Sequence, residues 1–169
     1  MSQSLLRLSL ILMLIALLTP CAFAEDWPQF RGPDGLGQSQ AKNLPVTWSD
    51  TENLVWKTPL PGYGSSSPIA LGDKLYVACY SGYGVDKENS GEMSDLRLHV
   101  LCVDRQKGTI LWDQQFEPVL PEAKRVRDHG YAGPTPVTDG KHLYVFFGKS
   151  GVFKLDLEGK RLWQTSVGS

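Results

Sequence analysis

Val103-Asp104-Arg105-Gln106-Lys107-Gly108-Thr109-Ile110-Leu111-Trp112 and, further along, Leu155-Asp156-Leu157-Glu158-Gly159-Lys160-Arg161-Leu162-Trp163 are two versions of one phrase. Each leads from an apolar residue through an aspartate and a glycine to a tryptophan. The residues upstream repeat as well. Gly62-Tyr63-Gly64-Ser65-Ser66-Ser67-Pro68 running on to Leu75-Tyr76-Val77 is echoed by Gly130-Tyr131-Ala132-Gly133-Pro134-Thr135-Pro136 running on to Leu143-Tyr144-Val145. A repeat of about 50 residues built from short apolar runs is the mark of a stacked array, in which each unit buries its faces on its neighbours.

Alternating and β-branched or aromatic runs predict four strands per unit. In the first unit, strands are expected over 67–70, 75–80, 98–104 and 109–116, with turns at 71–74 and 105–108. In the second they are expected over 135–138, 142–147, 152–157 and 161–165, with turns at 139–140 and 158–159. Asp-Gly and Gly-Asp pairs fit the hairpins. Asn53-Leu54-Val55-Trp56-Lys57-Thr58 reads as the final strand of a unit whose earlier strands are missing. No stretch of the mature chain has helical periodicity, so the fold class is all-β. Residues 25–53 are rich in turn formers and read as an extended lead-in, pinned by Trp27, Phe30 and Trp48.

These four-stranded meanders ending in Asp-x-x-x-Gly-x-x-x-Trp resemble the blades of the pyrroloquinoline-quinone-like (PQQ-like) β-propeller family. Cys102, Asp104, Gly108 and Trp112 fit its repeat, with Lys107 in the place of a threonine. Asp156, Gly159 and Trp163 fit with the turn one residue shorter, and Trp56 is the first tryptophan of the series. Trp27-Pro28-Gln29-Phe30-Arg31-Gly32-Pro33 is similar to the N-terminal segment of secreted bacterial members. In physical terms the aspartate caps a turn, the glycine takes a left-handed position and the indole fills the gap between blades. A propeller usually has ~4–8 blades. An orphan strand and two blades, 65–116 and 131–165, therefore predict a partial propeller, completed by further blades or by self-association.

The first 24 residues read as a secretory leader. Arg7 precedes the apolar run Leu8 to Leu18, and Ala22-Phe23-Ala24 is a small-x-small cleavage site. The expected location is periplasmic or extracellular, with lipidation at Cys21 as the rival reading. The chain carries 17 basic and 18 acidic residues, a net charge of −1. That near-neutral balance, without a basic stripe, argues against nucleic acid as a partner. Beyond the leader only Cys79 and Cys102 remain. An oxidising compartment allows a disulfide between them, and two buried thiols are the other reading.

In a meander the loops between second and third strands share a face with the loops joining one unit to the next. The long stretches 81–97 and 113–133 therefore project from one face, the side on which repeat arrays commonly bind. Lys124, Arg125, Arg127 and His129 there could clamp an anion, with Tyr131 and Tyr63 as flat surfaces, or they form a solvated loop offset by Glu117, Glu122 and Asp128. Asp86, Glu88, Asn89, Glu92 and Asp95 fall short of an EF-hand, whose twelfth position is Arg97 here. Gly62-x-Gly64 lacks the third glycine and the helix of a phosphate loop. His99, His129 and His142 lack metal-ligand spacing, and Ser65-Ser66-Ser67 shows no base partner.

Two function classes follow. One is an exported, non-catalytic propeller acting as a platform for a protein or an envelope component, without a cofactor. The other is a fragment of a quinoprotein dehydrogenase, which by resemblance would bring an adjacent Cys-Cys pair, the quinone PQQ and calcium. The sequence has no Cys-Cys pair.

Overall fold

The computed structural model describes residues 25–86, 88–123 and 129–167. The leader expected over 1–24, with Cys21, lies outside them. The described chain is all-β, with two antiparallel sheets of four strands each. The first contains β1 (Ile69–Leu71), β2 (Lys74–Ser81), β3 (Arg97–Asp104) and β4 (Ile110–Phe116); the second contains β5 (Val137–Thr138), β6 (His142–Phe146), β7 (Val152–Asp156) and β8 (Arg161–Thr165). Each sheet is a meander in chain order. Two 3-10 turns, 93–95 and 148–150, sit in the loops after β2 and β6.

The repeated phrase is one local structure made twice. Asp104 Oδ1 accepts the N–H groups of Gln106 and Lys107 at 2.9 and 2.8 Å, and Asp156 Oδ1 accepts those of Glu158 and Lys160 at 3.1 and 2.8 Å. Gly108 at φ +70 and Gly159 at φ +89 then take the left-handed step that side chains resist. After each turn the register slips, at Cys102/Val103 against β4 and at Lys154/Leu155 against β8. Leu111 and Leu162 are the extra residues, and both are close to half exposed. A β-bulge changes which face the following side chain occupies. Here it sends the tryptophan toward the next unit.

Trp112 crosses from the first sheet to the second. Its Nε1–H donates to the Leu157 carbonyl at 3.3 Å, and a Cβ placed on Gly159 would stand 2.9 Å from its ring. Trp56 repeats this on the first sheet, donating to the Arg105 carbonyl at 3.0 Å and lying on Gly108, while Thr58 donates to the Gly108 carbonyl. Trp163 holds the third equivalent position, packs on Tyr144 and is 42% exposed. Residues 54–58, expected as a strand, form no ladder among the described residues because no strand lies beside them. The tryptophan within that segment keeps its seam contact nonetheless.

The core lies between the sheets. Tyr76, Val100 and Phe116 of the first sheet meet Val145, Phe147 and Phe153 of the next region in one buried cluster. The Phe116 ring centroid is 4.7 Å from that of Phe153. Emptying such a site costs about 3–5 kcal/mol.

The inner strands β1 and β5 are shorter than expected, because Pro68, Pro134 and Pro136 interrupt any longer ladder. The lead-in uses the edges so exposed. Trp27 exchanges both backbone hydrogen bonds with Ala70 of β1, and the Pro28 carbonyl accepts from Thr138 of β5. Trp27 is therefore a pin, as expected. Phe30 and Trp48 are not: they are 61% and 68% exposed.

Candidate functional site

The two long loops do share a face, and they touch. The loop between β2 and β3 spans 82–96 and that between β4 and β5 spans 117–136. Ser81 and Arg97 belong to strands, as do Asp113 to Phe116, so both loops are shorter than the sequence suggested. Tyr80 and Tyr83 of the first side pack on Tyr131 of the second, the Tyr80 ring edge-on with centroids 5.2 Å apart. The Tyr80 hydroxyl donates to the Gly84 carbonyl at 3.3 Å, and the Tyr131 hydroxyl to the Ala123 carbonyl at 2.6 Å. Gly130 lies directly on the Tyr80 ring, where a side chain would not fit.

Beside this cluster a cleft of about 540 Å³ opens where the two repeats meet, a volume within the range of ligand pockets. The lead-in contributes Phe30; the segments before β1 and β5 contribute Ser65, Ser67, Pro134 and Thr135; the loop contributes Glu122, His129 and Tyr131; the end of β6 contributes Phe146 and Phe147. The two repeats brace one another across it, Ser67 and Thr135 at equivalent positions. The Ser67 N–H donates to Thr135 Oγ1 at 3.2 Å, and Ser65 Oγ donates to the His129 carbonyl at 3.2 Å. The serine run thus meets backbone groups and its own repeat counterpart.

Charge among the described lining residues is sparse. Burial raises the Glu122 carboxyl above its ordinary value, against the Ala123 N–H and the Lys149 ammonium, which pull it down. Lys149 donates to the Pro121 carbonyl at 3.0 Å. Burial also pushes the Tyr131 phenol up to about 12, so it stays neutral. Of the expected binding residues, His129 and Tyr131 line the cleft. Tyr63 does not; its backbone pairs with Tyr80 while its side chain is 61% exposed. Lys124, Arg125 and Arg127 lie outside the described residues. Glu122, read from the sequence as an offsetting charge, Phe30, read as a pin of the lead-in, and Phe146, which no motif marks, line the cleft as well.

A second polar group is buried in the first sheet. His99, 2% exposed, is held between Ser81 Oγ, 2.7 Å from Nε2, and Asp113, whose carboxylate oxygens lie 2.9 and 3.1 Å from Nδ1. Three adjacent strands supply the three residues. The chemical order is that of a nucleophile, base and orienting acid. These bonds satisfy an imidazole buried inside the sheet.

The cysteines stand apart from one another. Cys79 pairs across the ladder with His99, whereas Cys102 faces the core between the sheets, and both are buried free thiols. Burial pushes each up to about 11, so neither is a thiolate at neutral pH. They do not form the adjacent pair a quinone of the PQQ type would meet in a dehydrogenase. Among the described residues no three His, Cys, Asp or Glu side chains converge as a metal site, and Asp86 caps its own turn by accepting the Glu88 N–H at 2.8 Å. No described helix is long and apolar enough to cross a membrane.

Residues 38–169 match the family described as outer membrane protein assembly factor BamB, a family of PQQ-like repeats. A search of curated proteins finds no match to this chain.

Proposed function

Because the chain belongs to the PQQ-like repeat family of the outer membrane protein assembly factor BamB, we propose that it is an exported, non-catalytic platform that binds a protein of the cell envelope through the face bearing loops 82–96 and 117–136. The observation that carries this reading is the cleft between the repeats, lined by exposed aromatic rings on the side where both long loops meet. The opposite face offers short turns whose aspartates cap their own backbone. Exposed aromatic side chains in a concave site are the usual anchors of protein recognition. The family description, an outer membrane assembly factor, supports a partner in the envelope. The leader pattern in residues 1–24 supports export.

A photo-crosslinking amino acid introduced at Phe30, Tyr63 or His129, in the cells that make the protein, is expected to trap a discrete protein partner. The same probe at Gln106 or Lys141, on the turn face, is expected to trap none. Equal labelling from both faces overturns the reading. So does a clear rise in Tm, or dye reduction, when the quinone and calcium are added to the purified protein.

A further inference from the structure

We propose that the Gly108 turn is a docking site for a second copy of this chain, whose Trp163 and Thr165 take the place that Trp56 and Thr58 hold within one chain. The inference goes beyond the platform reading. The contact it describes is made at the turns and leaves the loop face free.

Trp112 lies on Gly159 and donates to the Leu157 carbonyl, as Trp56 lies on Gly108 and donates to the Arg105 carbonyl. Residues 54–58 thus stand to the first sheet as β4 stands to the second. They hold that place without a sheet of their own among the described residues. At the other end of the stack Trp163 is 42% exposed. Its surroundings in sequence match the segment at Gly108 better than they match β4. Val55-Trp56-Lys57-Thr58 and Leu162-Trp163-Gln164-Thr165 share a threonine two residues after the tryptophan, where Trp112 is followed by Gln114. That threonine has a use, since Thr58 donates to the Gly108 carbonyl beside the ring. β8 therefore carries both groups that grip Gly108, an indole and a hydroxyl, on a strand exposed throughout.

A second copy also brings a face. Ile69, Tyr76 and Cys102 are fully buried in the core between the sheets. Val137 and Trp163, which the ladders place as Ile69 and Trp112 are placed, remain 38% and 42% exposed. Fresh apolar burial favours the second copy, and covalent attachment favours Trp56, so occupancy of the turn depends on concentration. Lys154 stands in the place of Cys102, its ammonium 5.4 Å from the Tyr144 ring centroid. Covering that charge is costly, so the contact between copies is looser than the seam within one. The two surfaces differ, so copies join head to tail, in a ring if the rotation closes and in a filament if it does not.

Sedimentation velocity over a wide range of protein concentration tests this. The wild-type chain is expected to sediment faster as concentration rises. Trp163→Ala is expected to need at least about tenfold more protein to associate, the worth of one aromatic contact, with Tm nearly unchanged because the side chain is exposed. Trp56→Ala, which frees the turn, is expected to associate more readily than wild type. Combining Trp56→Ala with Trp163→Ala is expected to remove that gain, which separates docking from the stickiness of a poorly folded variant. Wild type and Trp56→Ala both staying monomeric overturns the proposal, since the face then belongs to another occupant. So does Trp56→Ala associating no more readily than wild type, or association that is indifferent to the loss of Trp163.

Discussion

Gly159 stands at φ +89 with the Trp112 ring against its Cα, and the same pairing recurs between Gly108 and Trp56. Two separate demands fall on one atom: the backbone needs a left-handed residue, and the indole needs the space a Cβ would fill. They separate experimentally. Gly140, at φ +85 with nothing near its missing side chain, carries the first demand alone. Gly140→Ala is expected to cost about 1 kcal/mol. Gly159→Ala adds displacement of the indole and is expected to cost about 2–4 kcal/mol. Urea denaturation of the two variants measures the difference, and equal losses would mean that the seam does not hold the sheets together.

At the scale of the element, one carboxylate caps the β5–β6 turn, beside the Thr138 hydroxyl, which accepts the Gly140 N–H and donates to the His142 carbonyl. Asp139 accepts the N–H groups of Lys141 and His142 and the hydroxyl of Tyr144. These bonds, that of Lys141 foremost, hold its carboxyl well below the usual carboxylate range. A group depressed on folding stabilises the protein above its unfolded value, and that contribution disappears as pH falls through the folded one. Asp139→Ala is accordingly expected to lower Tm by a few degrees at pH 7, with the gap to wild type closing as pH drops below the ordinary carboxylate range. A gap independent of pH would assign the loss to something other than the ionised cap.

The turns and strands were legible because their chemistry is local: aspartate, glycine and alternating residues announce them wherever they occur. β8 falls on its expected bounds, and β2, β3, β4, β6 and β7 within a residue of theirs. The bulges at Leu111 and Leu162 were hidden, since an extra residue leaves the apolar pattern almost intact and shows itself only as register. The expected strand at 54–58 failed for the opposite reason: a strand exists only beside a neighbour. The cleft was half legible. Topology put both loops on one face, and His129 and Tyr131 lie in the lining, but Phe30 and Phe146 join it from distant segments that no spacing rule connects. The Ser81–His99–Asp113 chain was missed likewise, because its members are neighbours only across three strands.

On the scale of the whole molecule, the lead-in ties the two sheets where their inner strands are shortest. Trp27 bonds to β1 and Pro28 to β5. Deleting residues 25–37 is expected to speed hydrogen exchange at the Ala70 and Thr138 amides, which lose their acceptors, and to leave the β3 amides nearly as protected as before. Uniformly faster exchange across both sheets would show instead that the lead-in is needed for the fold as a whole.

That clasp also sets an order in time. The ribosome makes Trp27 and Pro28 before either strand they hold, and Thr138, the partner of Pro28, is completed only after the first sheet is entirely made. The earliest part of the described chain to be synthesised thus completes its contacts only after the first sheet is made. Until then Trp27 can pair only with Ala70 of β1, and the Pro28 carbonyl stays open beside strands still being made, the condition in which growing chains most need to be kept from the wrong partner.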